Sequence, residues 1–274
     1  MTVIFRAKTP EGYAIKILAE LLQNNIKTAC FQIDEKGIRL RMMDHQRTIL
    51  IDIELHADNF TFYKFTPSEK LDIGINLAHF HKMVKSTKKK DTLEFVINDK
   101  ALTDLNIEVT PEKSNRTTTS TVKIQNIQNL DIDLPEGYSK PVIVSSSEFQ
   151  KMCKGLAHIS NIVHITSKGF LIRFSSDAGG VMTRYTEFGE KEDCDSDTDA
   201  KEDDSVDYEE DFDTEQLTRI TKLSGLSQNM QIYPKKNVPL KFTTTVGSLG
   251  KMSIYLKSKR EQESESHVLE SESE

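Results

Sequence analysis

The chain lacks any apolar run near the roughly 18 residues a membrane-spanning helix needs, so none is expected among its 274 residues. The opening Met-Thr-Val-Ile-Phe-Arg-Ala-Lys has neither the apolar core nor the small-residue cleavage site of a secretory leader. Cysteine is scarce. Cys30, Cys153 and Cys194 are the only three, far apart and without a Cys-x-x-Cys pair, which points to free thiols in a reducing compartment. The sequons Asn59-Phe60-Thr61 and Asn115-Arg116-Thr117 are then read as unused.

Enzyme chemistry is thin as well. No glycine-rich phosphate loop ending in Lys-Ser/Thr occurs, and no nucleophile elbow. His79 and His81 stand two apart, so they do not share a helix face, and no Cys/His cluster accompanies them; they read as surface histidines. Asp193, Asp195 and Asp197 begin like a calcium loop. Thr198, however, stands where glycine is needed, and Asp204 where the bidentate glutamate belongs. Cys30 falls on an apolar strand and Cys153 on a helix, places where cysteine is a core residue. No catalytic residue, metal site or cofactor is expected.

Charge is plentiful but unevenly placed. The formal total is −7. Residues 190–211 hold 13 acids against 2 lysines, and residues 261–274 hold 6 glutamates and no base. Without these two segments, 34 bases face 24 acids, so the remaining body is +10. A basic body with acidic appendages points to a polyanionic partner. Ser196, Ser205 and Ser264 sit among the acids and could accept phosphate.

A repeat organises the bases. Phe80-His-Lys-Met-Val-Lys85 reads apolar, x, basic, apolar, x, basic, and the order returns at Phe149-Gln-Lys-Met-Cys-Lys154 and Leu217-Thr-Arg-Ile-Thr-Lys222. A weaker copy, Ala14-Ile-Lys-Ile-Leu-Ala19, has alanine at the second basic position. The first bases step by 66, 69 and 68 residues. A unit of similar length used four times is a repeat architecture. On a helix, positions three apart share a face, so each copy would show water a narrow basic stripe.

Around these helices the sequence alternates as strands do: 2–7, 28–34, 38–42, 48–55, 60–65, 73–76, 92–97, 105–110 and 117–124 in the first half. The second half restarts the pattern at an offset near 132, matching Ile33 with Ile165 and Gly37 with Gly169. Ser145–Glu148 reads as an N-cap with acid in the first turn, and the fourth helix is expected over 215–223. The fold class is α+β: two similar domains, each a duplicated β-α-β-β-β unit, with helices on one face of antiparallel sheets. Domain 1 is expected over 1–124, an extended connector over 125–137 ending in Pro-Glu-Gly, and domain 2 over 138–256. Residues 190–211 are expected to be a mobile acidic loop and 257–274 a disordered acidic tail.

Lysine and arginine on these stripes neutralise phosphates without reading bases. No aromatic stacking partner is read within the stripes, which favours the outside of duplex DNA over capture of a single strand. Four helices, each about 10 Å wide, cover roughly 40 Å of arc. Three chains would close around an opening of roughly 28 Å, whereas two would leave about 15 Å, tight for a duplex. Closure would also remove exposed sheet edges.

Several segments carry a family resemblance: Ile38-Arg-Leu-Arg-Met-Met-Asp44, Phe60-Thr-Phe-Tyr63, Leu71-Asp-Ile-Gly-Ile-Asn-Leu77, Leu130-Asp-Ile-Asp-Leu-Pro-Glu136 and Ser147-Glu-Phe-Gln-Lys-Met-Cys-Lys-Gly-Leu-Ala-His-Ile159. Collinear over residues 2–256, the chain resembles proliferating cell nuclear antigen, the eukaryotic and archaeal type of DNA sliding clamp. The resemblance implies two DNA-clamp domains assembling into a closed, non-enzymatic homotrimeric ring on duplex DNA, placed there by a clamp loader. It implies that DNA polymerase and other replication and repair proteins are tethered through a pocket under the connector. Carried over by position, the DNA-facing residues would be Lys16, Lys64, Lys82, Lys85, Lys151, Lys154, Arg219 and Lys222. The partner pocket would use Met43, Leu50, Ile132, Leu134, Pro135, Pro239 and Tyr255, and the subunit seam would pair 117–124 with 181–188 through Thr119, Val122, Ile124, Val181, Thr183 and Tyr185.

Departures from the family pattern are Arg47 in place of a histidine beside the pocket, Lys257-Ser258 in place of Ala-Pro, and a polar connector at Gln125, Asn126, Gln128 and Asn129. The acidic segment and the Ser/Glu tail are unlike animal and fungal members and imply a divergent, viral clamp. It would work in the nucleus or at the site of viral DNA replication. Two alternatives stay open: a subunit of a heterotrimeric checkpoint-type clamp, and a monomeric DNA-binding processivity subunit.

Overall fold

A computed structural model describes residues 2–113, 115–127, 130–138, 140–189 and 207–264. Two compact units emerge. The first comprises Met1–Asp133 with Gly225–Ser227 and Thr244–Ile254; the second comprises Leu134–Ser224, Gln228–Thr243 and Tyr255–Glu274. The division falls inside the stretch read as a connector.

The first unit contains β1 (Val3–Thr9), α1 (Gly12–Asn25), β2 (Thr28–Asp34), β3 (Gly37–Met43), β4 (Ile49–His56), β5 (Phe62–Phe65), β6 (Leu71–Asn76), α2 (Leu77–Val84), β7 (Thr92–Asn98), β8 (Ala101–Thr110) and β9 (Thr118–Gln125). Its strands run side by side in the order β4-β3-β2-β6-β9-β8-β7-β1-β5. Alternation decides which residues face the core. On β1, Phe5, Ala7 and Thr9 are buried while Arg6 and Lys8 are exposed, as a half-buried strand requires.

The buried arc of α1 is wide: nine of its fourteen residues are buried, and Ile15, Leu18 and Leu22 lie with Phe5, Phe80 and Phe95 around an apolar cavity of about 50 Å³. Only Tyr13, Lys16, Glu20, Gln23 and Asn24 remain toward water. This explains the weak first copy of the repeat. Ala19 is fully buried, so a lysine there would be an uncompensated core charge. The α2 helix starts on Asn76, whose side chain accepts the His79 N–H, the ordinary N-cap bond. Its Phe80 stacks on Phe95 of β7 at 6.0 Å.

The second unit contains β10 (Val142–Ser145), α3 (Ser146–Leu156), β11 (Ile162–Lys168), β12 (Leu171–Asp177), β13 (Thr183–Phe188), β14 (Tyr208–Asp213), α4 (Thr214–Arg219) and β15 (Asn229–Tyr233). The last two strands, β16 (Leu240–Val246) and β17 (Gly250–Leu256), are each divided between the units. One sheet of this unit runs β13-β12-β11-β14; β10, β15 and β16 are neighbours in another. Phe149 of α3 meets Phe174 of β12 at 5.9 Å and Phe242 of β16 at 5.6 Å. Apart from the added β5, each quarter of the chain repeats strand, helix and three strands.

Three expectations need correction. The fourth helix is not continuous over 215–223: α4 ends at Arg219, Ile220 has φ −95° and ψ −1°, and a 3-10 turn follows over Thr221–Gly225. The acidic loop does not extend to residue 211, because β14 pairs with β11 from Ile162↔Asp213 to Ser167↔Tyr208. Tyr208 and Phe212 are buried and alternate with exposed Glu209 and Asp211, so two core rings anchor an acidic strand. Residues 190–206, with the calcium-like aspartates, Cys194, Ser196 and Ser205, lie outside the described residues.

The tail is also not wholly irregular, since residues 259–264 are helical. Ser258 and Glu261 exchange bonds: the Ser258 N–H donates to the Glu261 carboxylate at 2.8 Å, and the Glu261 N–H to the Ser258 hydroxyl at 3.3 Å. This is a capping box. Residues 265–274 lie outside the described residues.

Candidate nucleic-acid interface

In the first unit, Lys16 sits half-buried on α1, and Lys82 and Lys85 are exposed at the end of α2. Lys85 follows the last helical residue of α2 as its C-cap. Buried Leu77, Phe80 and Val84 fix the opposite side of that helix, so the lysine pair points to water by default. Lys16 Nζ donates to the Thr87 carbonyl at 3.4 Å, which ties α1 to the loop after α2.

Lys64 does not join this group. It lies on β5 opposite Arg6 of β1, on the side of the sheet away from the buried Phe5 and Ala7 face that α1 covers. The two-residue period of a strand puts it there. Its outward neighbours are Arg6, set 5.4 Å above the Phe62 ring, and the buried Glu94 that Arg6 pairs with.

In the second unit, Lys151 and Lys154 are exposed on α3 above buried Met152, Cys153 and Leu156. Ser145 occupies the N-cap position without a side-chain cap bond. Lys151 pairs with Glu148 at 2.7 Å and Arg219 with Glu215 at 2.9 Å. The Lys151 pair is exposed on both sides and so worth only about 0–1 kcal/mol, and phosphate can replace its carboxylate at little cost; Arg219 is half-buried. Lys222 is half-buried on the 3-10 turn rather than on the helix that carries Arg219. A cavity of about 250 Å³ beside α3 is lined by Lys151, Met152, Gly155, Arg184 and Phe188.

The residues read as a partner pocket divide between the units. Met43 lies directly opposite Leu50 across β3 and β4; Met43 is half-buried and Leu50 buried. Asp44 fixes the turn beside them by accepting the N–H groups of Thr48 and Ile49 at 2.8 and 2.9 Å, and Arg47 in that turn has φ +57°. Half-buried Ile132 gives its carbonyl to Arg41 at 3.0 Å, while Arg41 also bonds Asp52 at 2.9 Å.

Leu134, Pro135, Pro239 and Tyr255 belong to the second unit. The Tyr138 hydroxyl donates to the Pro239 carbonyl at 2.6 Å. The rings of Tyr138, Tyr233 and Tyr255 gather around Lys241 Nζ, 5.1–5.6 Å from each centroid, a cluster the sequence reading missed. Among the described residues 126–138 there is no helix or strand, and Gln125 belongs to β9.

Besides β5, β10 and β14, which end their sheets, β9 and β13 present free edges among the described residues. The β9 strand pairs with β8 over Thr118–Lys123, while its other side meets β6 only at Ile124 and Gln125. The β13 strand has β12 as its sole neighbour. Thr119, Thr183 and Tyr185 are exposed, and Val181 just before β13 is 91% exposed. Ile124 is half-buried. Val122 is buried at 4%, so its side chain serves its own unit's core and only its backbone lies at the edge.

No group of His, Cys, Asp and Glu that could hold a metal ion occurs among the described residues. Burial raises the Cys30 and Cys153 thiols above their ordinary range, so neither is poised as a nucleophile.

Duplicated β-α-β-β-β units with basic residues outward on their helices define the class of a DNA sliding clamp. The chain belongs to the proliferating cell nuclear antigen family: the model of that family's N-terminal domain matches residues 4–134 and the model of its C-terminal domain residues 131–259. A similar protein is the "Probable DNA polymerase sliding clamp 1" of Paramecium bursaria Chlorella virus 1, 26% identical over 260 residues, which cover 93% of this chain and 96% of the relative.

Proposed function

We propose that three copies of the chain close into a ring around duplex DNA and act as a non-enzymatic processivity scaffold. Lys16, Lys82, Lys85, Lys151, Lys154, Arg219 and Lys222 would face the phosphates. One observation carries this reading: exposed or half-exposed bases recur on the helical segment of every quarter, above apolar residues that hold each helix to its sheet. Phosphate neutralisation of this kind binds without sequence preference and weakens steeply with salt, which suits a protein that must slide. The free edges of β9 and β13 support closure between copies, since an unpaired edge is a template for another strand.

Family membership supports a loader and tethered polymerase and repair partners. The surfaces around Met43, Leu50 and Ile132 in the first unit, and around Leu134, Pro135, Pro239 and Tyr255 in the second, are the ones we assign to those partners. The chlorella-virus relative supports work at a site of viral DNA replication.

Retention on DNA tests encirclement. The protein, loaded on nicked circular duplex, is expected to stay bound through gel filtration at moderate salt and to leave once the circle is cut. Equal loss from circular and linear DNA would sink the ring.

A further inference from the structure

We propose that the first unit carries a subsite for an unpaired nucleotide of single-stranded DNA, formed by Tyr13, Lys16 and Lys89; it rests on the clamp reading above. Read as a sequence, the basic stripes carry no aromatic partner. The structure supplies one. Tyr13, half-buried on α1, lies with Lys16 Nζ 5.3 Å and Lys89 Nζ 5.8 Å from its ring centroid.

The arrangement is held from both sides. Gly12 lets the start of α1 approach the loop after α2 so closely that a Cβ would stand 2.7 Å from the Asp91 carbonyl and 3.2 Å from Leu93 Cβ. Asp91, buried, closes that loop by accepting the Lys88 N–H at 2.9 Å, while its own N–H donates to the Lys88 carbonyl at 3.1 Å. The resulting turn directs Lys88, Lys89 and Lys90 outward, and Lys90 is engaged by Glu112 at 3.4 Å.

A ring beside two ammonium groups matches the two parts of a nucleotide, base and phosphate. Stacking of a base on an aromatic side chain is worth about 5- to 150-fold in affinity. The contact made by exposed Lys89 is worth only about two- to fivefold. A base can therefore displace a lysine head from the ring, and the displaced ammonium remains close enough to meet the phosphate. A duplex, with its bases stacked inside, offers Tyr13 no such face.

The chain contains no tryptophan, so Tyr13→Trp places a single indole in the subsite. Titrating the full-length variant with oligo(dT) of about ten nucleotides, within the ~4–16-nucleotide site sizes of single-strand-binding folds, is expected to quench that indole. Fluorescein-labelled oligo(dT) read by anisotropy supplies an arm free of the new residue. There Tyr13→Ala is expected to weaken binding about 5- to 150-fold, Tyr13→Phe to keep it, and Lys89→Glu to weaken it and flatten its salt dependence. Absence of oligo(dT) binding by the wild-type protein, equal affinity of the Tyr13→Ala variant, or equal quenching by a blunt-ended duplex would each overturn the subsite. Retention on circular duplex is read on the wild-type protein. A protein that stays on circles and ignores oligo(dT) loses this proposal and keeps the ring; one that binds oligo(dT) through Tyr13 but leaves circles keeps the subsite and loses the ring.

Discussion

Arg260 in the C-terminal helical segment pairs with Glu210 of β14, fifty residues earlier, whose side chain is only 9% exposed. That pairing accounts for an acid on the same side of β14 as the buried Tyr208 and Phe212. Asn237 also accepts from Arg260, at 3.3 Å, and Lys259 reaches Asp213 at 3.4 Å. The segment after the last strand is thus part of the second unit.

Arg260→Ala should leave the Glu210 charge part-buried and unpaired. A loss of about 1–3 kcal/mol is expected, the cost of stranding a buried polar group, below the full cost of breaking a wholly buried pair because the Arg260 side chain is 58% exposed. The Arg260→Ala, Glu210→Gln double variant should recover part of it. Denaturant melts check this; strictly additive losses would show that the two groups are not coupled.

Glu261 offers a pH test. Burial is the main cause that lifts its carboxyl above the ordinary value of 4.5, with Ser258 bonding in the other direction and Glu210 adding to the rise. A raised folded-state pKa means the folded protein holds the proton more tightly. The associated stability is fully present below the unfolded value and is lost as pH rises through the folded one. Glu261→Gln keeps a capping-box acceptor and removes the charge, so it should raise stability at neutral pH and flatten the profile above about 4.5. Glu261→Ala should instead cost about 0.5–2 kcal/mol by removing the cap. Thermal melts across pH that place both variants below wild type at neutral pH would refute the burial argument.

These two features show where the sequence was readable. The helices were legible because Phe80 and Val84, or Phe149, Met152 and Cys153, repeat at helical spacing within one short window. The Ser258-Lys-Arg-Glu261 capping box was equally local, and composition obscured it: six glutamates after residue 260 read as a solvated tail. For β14, composition again outweighed the alternation of Tyr208 and Phe212. Other features are not local at all. Glu210 makes sense only with Arg260, Lys64 only with Arg6 across β1 and β5, and Tyr13 only with Lys89, which a fold must bring together. Lys16 shares a face with Tyr13 three residues earlier, so half of that cluster was in view; the break at Ile220 had no local signal.

Charge reversal on two helices tests the DNA face. Lys82→Glu with Lys151→Glu should leave thermal stability within about 0.5 kcal/mol, as expected for exposed positions, and weaken retention on circular DNA. The salt dependence should flatten by about 0.9 in log-log slope for each phosphate that is no longer neutralised. Lys64→Glu should have a smaller effect, because Lys64 lies on the other side of its sheet. If Lys64→Glu proves the more damaging change, the DNA face has been assigned to the wrong surface.

Strand edges decide the assembly. Thr183 opens β13 and Tyr185 follows two residues on, exposed at 60% on a strand with β12 as its only neighbour among the described residues. Thr121 lies on the stretch of β9 that pairs with β8 and not with β6. Proline removes the N–H that an added strand would use, yet is tolerated on an edge facing solvent. If the ring closes by pairing β9 of one copy with β13 of the next, Tyr185→Pro should turn a species of about three times 31.2 kDa into one of 31.2 kDa. A paired edge needs donors from both strands, so a proline at Thr121 should act in the same direction wherever its N–H faces the next copy. Light scattering at micromolar concentration reads the mass, and circular dichroism confirms that each variant keeps its sheet. A wild-type mass of 31.2 kDa at that concentration would favour the monomeric processivity subunit. A trimer unmoved by Tyr185→Pro would place the seam elsewhere.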